Sequence, residues 1–138
     1  MFVLDTNVVS ELRRPDKANA RVVQWADSIS LEQLYLSALT VLELELGVLR
    51  MERKGKRQGA ELREWMEGQV LRDFSGRILP LEVTIARRCA SLHVPDPMPE
   101  RDAMIAATAL VHGMTLVTRN VSAFQRAKIK LFNPWLHD

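Results

Sequence analysis

Asp5, Glu43 and Asp102 are the acids whose surroundings set them apart from a solvated surface. Phe2, Val3 and Leu4 run straight into Asp5-Thr6-Asn7, an apolar stretch followed by small polar residues. This pattern predicts a buried parallel strand ending in a turn. In open α/β sheets, ligand sites lie just outside the carboxyl ends of strands, so Asp5 is expected to face a crevice. Glu43 follows Thr40 by three residues, a capping-box pattern that predicts a helix starting near Thr40 with Glu43 in its first turn. Asp102 falls in the first turn of an apolar helix opened by Glu100-Arg101-Asp102, a place where an acid also serves to cap or to offset the helix dipole. Both helices begin after loops that leave strand ends, so the three carboxylates can converge on one edge of a sheet. An all-oxygen set without Cys or His suits Mg²⁺ or Mn²⁺ rather than zinc. A cation there removes the repulsion between close acids and can support attack of water on a phosphodiester.

The elements that must position these acids alternate along the chain. Val8, Val9 and Leu12 predict a short helix broken by Pro15, and Val22, Val23, Trp25, Ala26 and Ile29 mark a second amphipathic helix. Leu34 to Ser37 reads as a strand. The segment Leu39–Arg50 fits either period, and the Thr40/Glu43 pattern decides for a helix. Arg50, Arg53, Lys54, Lys56 and Arg57 then form a basic run around Gly55, read as the tip of a helical hairpin whose second helix spans about Ala60 to Phe74. Its simpler reading is a solvated loop; the sharper one is an edge that tracks nucleic-acid phosphates, although no aromatic residue interleaves the charges. Ile78 to Leu81 is a short strand, Val83 to Leu92 a helix with Cys89 on its apolar face, and Pro95, Pro97 and Pro99 punctuate a loop. The Asp102 helix runs to His112 with Gly113 as its C-cap. Met114 to Thr118 and Ile129 to Phe132 are the last strands. Strand–helix alternation of this kind predicts an α/β fold with a mainly parallel central sheet covered on both faces.

With 138 residues, 47% hydrophobic and 26% charged, the composition is that of an ordinary globular protein. A single domain spanning residues 1–138 is expected, with no repeat or linker to divide it. The single cysteine excludes a disulfide framework, and the three scattered histidines lack zinc-ligand spacing. A reducing, cytoplasmic setting follows. Three apolar residues before Asp5 are too few for a signal-peptide core, and Ala103–Val111 is too short for a membrane span. A net charge of +2 gives little bulk attraction for a polyanion.

The motifs, taken in order, resemble the PIN-domain nucleases, in particular the VapC/FitB-like toxins of type II toxin–antitoxin pairs. The matching pieces are Phe-Val-Leu-Asp5-Thr-Asn7 with Ser10-Glu11, then Leu36-Ser-Ala-Leu-Thr40-Val-Leu-Glu43 with Gly47. Asp102-Ala-Met-Ile-Ala-Ala-Thr-Ala-Leu, Leu116-Val-Thr-Arg-Asn120 and Leu131-Phe-Asn-Pro-Trp135 complete them. The resemblance spans nearly the whole chain and leaves Arg50–Leu92 weakly constrained. It implies a PIN-like α/β/α sandwich and a Mg²⁺- or Mn²⁺-dependent endoribonuclease. Asp5, Glu43 and Asp102 match the family's acidic positions, which hold metal and activate water. Thr118 and Asn120 match the polar support beside them, with Asn7 a further hydrogen-bonding neighbour. A homodimer is implied, held inactive by a cognate VapB/FitA-like antitoxin that alone contacts operator DNA.

One position departs from that pattern. Where the family usually has a fourth carboxylate, this chain has Ala123, and Ser122 beside it lies one residue off. A second metal position and full activity are thereby placed in question. Two other readings compete. A haloacid-dehalogenase-like phosphatase also uses an Asp after its first strand, but wants a second Asp where Asn7 stands. A non-catalytic PIN-like module that binds RNA or protein draws its support from Ala123. A nucleotide-binding domain is disfavoured, because no Gly-rich loop follows any strand.

Overall fold

The computed structural model describes residues 1–137. Its strands are β1 (Phe2–Leu4), β2 (Leu34–Ser37), β3 (Ile78–Leu79), β4 (Thr115–Val117) and β5 (Leu131–Phe132). The helices are α1 (Thr6–Glu11), α2 (Ala20–Ser28), α3 (Ala38–Lys54), α4 (Lys56–Trp65), α5 (Leu71–Asp73), α6 (Val83–Leu92), α7 (Glu100–His112) and α8 (Val121–Phe124). Among the described residues the strands form one five-stranded sheet in the order β3-β2-β1-β4-β5. Every pairing is parallel, with Val3 opposite both Tyr35 and Leu116, and Leu4 opposite Val117. The chain first winds outward through β2 and β3, then returns to the other side of β1 for β4 and β5. The order reverses between β1 and β4, and that switch point is where an open parallel sheet leaves a crevice at its carboxyl edge.

Alternate strand residues face opposite ways and build two apolar layers. Leu4, Leu36 and Val117 join Val8, Trp25, Leu44, Val48 and Met66 on one face. Val3 and Leu116 join Ile85, Cys89, Ile105, Ala106 and Phe124 on the other. The small residues of α7, with Ala103, Ala106, Ala107 and Ala109 fully buried, let that helix lie close to its layer. This is the helix–sheet–helix sandwich that the alternation predicts, and Cys89 is a core residue within it.

Two expectations shift. Helix α3 starts at Ala38, with Ser37 as N-cap accepting from the Leu39 N–H. Thr40 is buried inside the first turn and Glu43 lies one turn further in, so the Thr40/Glu43 pair is not a capping box. The predicted second helix of the hairpin starts earlier too, at Lys56 directly after Gly55, and is interrupted by a π turn over Met66–Val70. The basic run therefore occupies two helix ends rather than a loop. Gly113 caps α7 with φ 64°, in the left-handed region that glycine favours. Among the described residues no helix is long and apolar enough to cross a membrane.

Candidate active site

Asp5 stands at the switch point. Its N–H donates to the Val117 carbonyl at 2.9 Å, extending the β1–β4 ladder by one step before the chain turns into α1. The side chain then caps α1: Oδ1 accepts from the Thr6 N–H at 2.8 Å. Oδ2 accepts from the Thr118 hydroxyl at 2.8 Å and from Asn7 Nδ2 at 3.3 Å. Thr118, just beyond β4, is fully buried, and Asp5 is 6% exposed. A carboxylate removed from water so far must be hydrogen-bonded, and these three donors meet that need.

The polar support is a small network. Asn7 Nδ2 also lies 3.3 Å from Thr118 Oγ1, and Asn7 Oδ1 accepts from the Arg119 N–H at 3.3 Å. Asn120 takes part through its backbone, whose N–H donates to Thr118 Oγ1 at 3.0 Å. Its side chain is exposed and makes no hydrogen bond among the described residues.

Glu43 reaches the crevice from α3. Its Oε1 accepts from the Thr6 hydroxyl at 2.6 Å, and Thr6 and Thr40 hydroxyl oxygens lie 3.2 Å apart. Its Oε2 faces the Arg101 guanidinium of α7 at 3.8 Å. Thr6 and Arg101 were not singled out in the sequence. Their only signal was adjacency, Thr6 following Asp5 and Arg101 preceding Asp102. Asp102, partly buried in the first turn of α7, makes no hydrogen bond or ion pair among the described residues.

The acids act on one another. Burial pushes the Asp5 carboxyl above its ordinary range, its hydrogen bonds to Thr118 and Thr6 pull back, and the charges of Asp102 and Glu43 push it up again. Asp102 is raised by burial first and by Glu43 second. The three acids are therefore one electrostatic unit. As their side chains stand, no three acidic, histidine or cysteine groups among the described residues close around a single point. The donor chemistry nonetheless fits a hard divalent cation: oxygen only, from one buried and two partly buried acids whose mutual repulsion a cation relieves.

Ala123 lies on α8, the short helix that opens after the Thr118–Asn120 loop, and its methyl packs against the layer containing Phe124. Ser122 beside it is exposed. A phosphatase geometry gains nothing, since Asn7 is committed to Asp5, Thr118 and Arg119.

Comparison with known proteins agrees with this architecture. The PIN domain family matches residues 2–130. The toxin FitB of Neisseria gonorrhoeae is 44% identical over 144 aligned positions that cover all of both chains. The VapC ribonuclease Y4jK of Sinorhizobium fredii is 41% identical over 142 positions, covering 98% of each. Among solved structures, that of FitAB bound to an IR36 DNA fragment superposes with a TM-score of 0.91 at 41% identity, covering 100% of this chain and 98% of that one. With a parallel sheet whose order reverses at Asp5, acids gathered on its carboxyl edge and full-length relatives at this identity, the chain belongs to the PIN domain family.

Proposed function

We propose that this chain is the toxin of a type II toxin–antitoxin pair and an endoribonuclease that hydrolyses RNA phosphodiesters with Mg²⁺ or Mn²⁺. The observation that carries the reading is the buried Asp5 carboxylate at the switch point, raised by burial and by the charges of Asp102 and Glu43. Relatives named a toxin and a VapC ribonuclease support it, as does the likeness to FitAB. A cognate VapB/FitA-like antitoxin is then the partner, operator DNA is met only through it, and the working form is a cytoplasmic homodimer.

In this reading Asp5, Glu43 and Asp102 would hold the cation, which when bound would activate a water and clamp the phosphate. The chain's own residues do the positioning. Thr118, Asn7 and the Thr6 N–H fix both oxygens of Asp5, and the Thr6 hydroxyl fixes Oε1 of Glu43. Arg101, half-exposed beside Glu43, places positive charge at the crevice mouth, where a phosphate must enter.

The test is cleavage of total cellular RNA by the antitoxin-free chain with Mg²⁺ or Mn²⁺, beside Asp5→Asn and Ala123→Asp. Expected is cleavage by the unmodified chain, loss in EDTA and in Asp5→Asn, and cleavage at least as fast in Ala123→Asp. No cleavage by either competent chain with metal present would transfer the assignment to the non-catalytic RNA- or protein-binding module that Ala123 favours.

A further inference from the structure

The cations of this chain divide into two sets. Arg63 of α4 collects Glu45 at 2.7 Å, Glu52 at 3.1 Å and Glu67 at 3.4 Å. Arg57 pairs with Glu61, Arg72 with Asp73, and Arg101 faces Glu43. The other fifteen form no ion pair among the described residues, and six of them, Arg13, Arg14, Lys17, Arg50, Arg53 and Lys54, line surface clefts.

Those six cations are ordered along the surface. Arg50, Arg53 and Lys54 wall a cleft that includes Gly47. Gly47 also borders a second cleft of ≈ 160 Å³, lined by Thr6, Glu43, Arg13 and Trp65. Arg13 in turn borders a third, walled by Arg14 and Lys17. The shared residues join the three into one trough, from the C-terminal end of α3, past Glu43 and Thr6, to the loop after α1. From Glu43 to Lys54 the helix rises roughly 17 Å, the scale of a short run of nucleotides. Of the nearby acids, Glu45 and Glu52 share Arg63 with Glu67, and Glu11 lines the Arg13/Arg14/Lys17 cleft, where its Oε2 accepts from the Asn19 N–H at 2.7 Å. Glu11 and Asp16 are the two acids in the segment that carries the three cations Arg13, Arg14 and Lys17. The fold also brings in the aromatic group that the basic run lacks. Trp65 is half-buried, packs against the Leu44/Val48 layer and lines the middle cleft beside Glu43.

We propose that this trough is the track of the RNA strand. The Arg50/Arg53/Lys54 flank and the Arg13/Arg14/Lys17 flank hold phosphates on either side of Glu43, and Trp65 stacks a base between them. This rests on the RNA-hydrolase reading and specifies its substrate surface. Cations on both sides of Glu43, the candidate acid that lines the middle cleft, suit a polyanion that passes the site. An acidic protein segment is the competing occupant, and the test separates the two.

The experiment is fluorescence anisotropy of a 5′-labelled, mixed-sequence, single-stranded oligoribonucleotide in EDTA, where cleavage does not interfere. Each flank is neutralised as a triple: Arg50→Gln/Arg53→Gln/Lys54→Gln and Arg13→Gln/Arg14→Gln/Lys17→Gln. The control is Arg87→Gln/Arg88→Gln on the exposed side of α6, beyond the opposite layer. Each triple is expected to weaken binding by about tenfold or more and to lower the slope of log affinity against log salt by about 2, for roughly 0.7 per phosphate contact. The control leaves both unchanged. Trp65→Leu weakens binding about tenfold without altering the salt slope, and Trp65→Phe retains most of the affinity. With metal restored, the triples raise KM with kcat unaltered, and circular dichroism verifies that each variant is folded. Triples that bind RNA as the control does overturn the proposal, whether or not they lose affinity for an acidic peptide. If cleavage persists in that case, the ribonuclease reading survives alone. If the unmodified chain neither binds nor cuts RNA, both readings fall.

Discussion

Asp5 and Asp102 are held in a state the protein would not choose for stability alone. Both carboxyls are raised above 3.8, each by burial first, and Asp102 next by Glu43. A group whose folded pKa exceeds its unfolded value binds its proton more tightly when folded. The folded state therefore loses stability as pH rises from about 3.8 through the raised value. Asp102 is the cleaner probe because it makes no hydrogen bond among the described residues. In EDTA, Asp102→Asn is expected to melt at a higher temperature than the unmodified chain near pH 7, with the difference shrinking towards about pH 4. Melting curves across that range check it, and a difference independent of pH would remove electrostatic strain as its cause. At this scale the sequence placed Asp5 after a strand and Asp102 at a helix start, as the structure has them, whereas Glu43, expected in a first turn, lies one turn further into α3. It did not show that Thr6 and Arg101 engage Glu43, because that depends on how α1, α3 and α7 meet.

Helix α3 carries the crevice at one end and the basic trough along its side, so its seating on α4 governs both. The seating is tight at Gly59, where an added Cβ would stand 2.5 Å from the Glu52 Cα. Backbone cannot yield as a flexible side-chain end can, so Gly59→Ala is expected to cost about 1–3 kcal/mol by overpacking. Gly47, also helical, has nothing within 4 Å of such a Cβ. Gly47→Ala is expected to gain about 0.5–1 kcal/mol from helix propensity. Urea unfolding of the two variants tests the contrast, and equal shifts would mean that the α3–α4 contact is not close-packed. The start of α3 shows why element ends were less legible than elements. Ser37 and Thr40 are both N-cap residue types, and local pattern favoured Thr40 because Glu43 follows it. Burial of Leu39 and Thr40 against the sheet decided for Ser37 instead. The basic run misled similarly: glycine at position 55 looked like a loop centre, whereas one residue suffices to turn α3 into α4.

Across the whole molecule, strand and helix order was readable from hydrophobic pattern, but strand neighbours were not. Nothing local in Val3 or Leu116 announces that β1 and β4 pair, although that pairing puts Thr118 against Asp5 across 113 positions of sequence. The same topology draws the three candidate ligands from elements that disperse on unfolding. Asp5 follows β1, Glu43 comes from α3, whose Leu44 and Val48 sit in one apolar layer, and Asp102 opens α7, which belongs to the other. A cation held by all three would join both layers at the carboxyl edge of the sheet. The unfolded chain offers no such set, so binding must shift the global unfolding equilibrium by mass action, by about 2.7 kcal/mol at a hundredfold excess over Kd. The melting temperature should therefore climb with the logarithm of Mg²⁺ or Mn²⁺ concentration in the unmodified chain, and stay flat in Asp5→Asn and Asp102→Asn. A flat response in the unmodified chain would leave the acids as an electrostatic cluster without a resident cation. An equal rise in all three would place the ion elsewhere. Only a rise that vanishes with either acid ties metal, crevice and fold together.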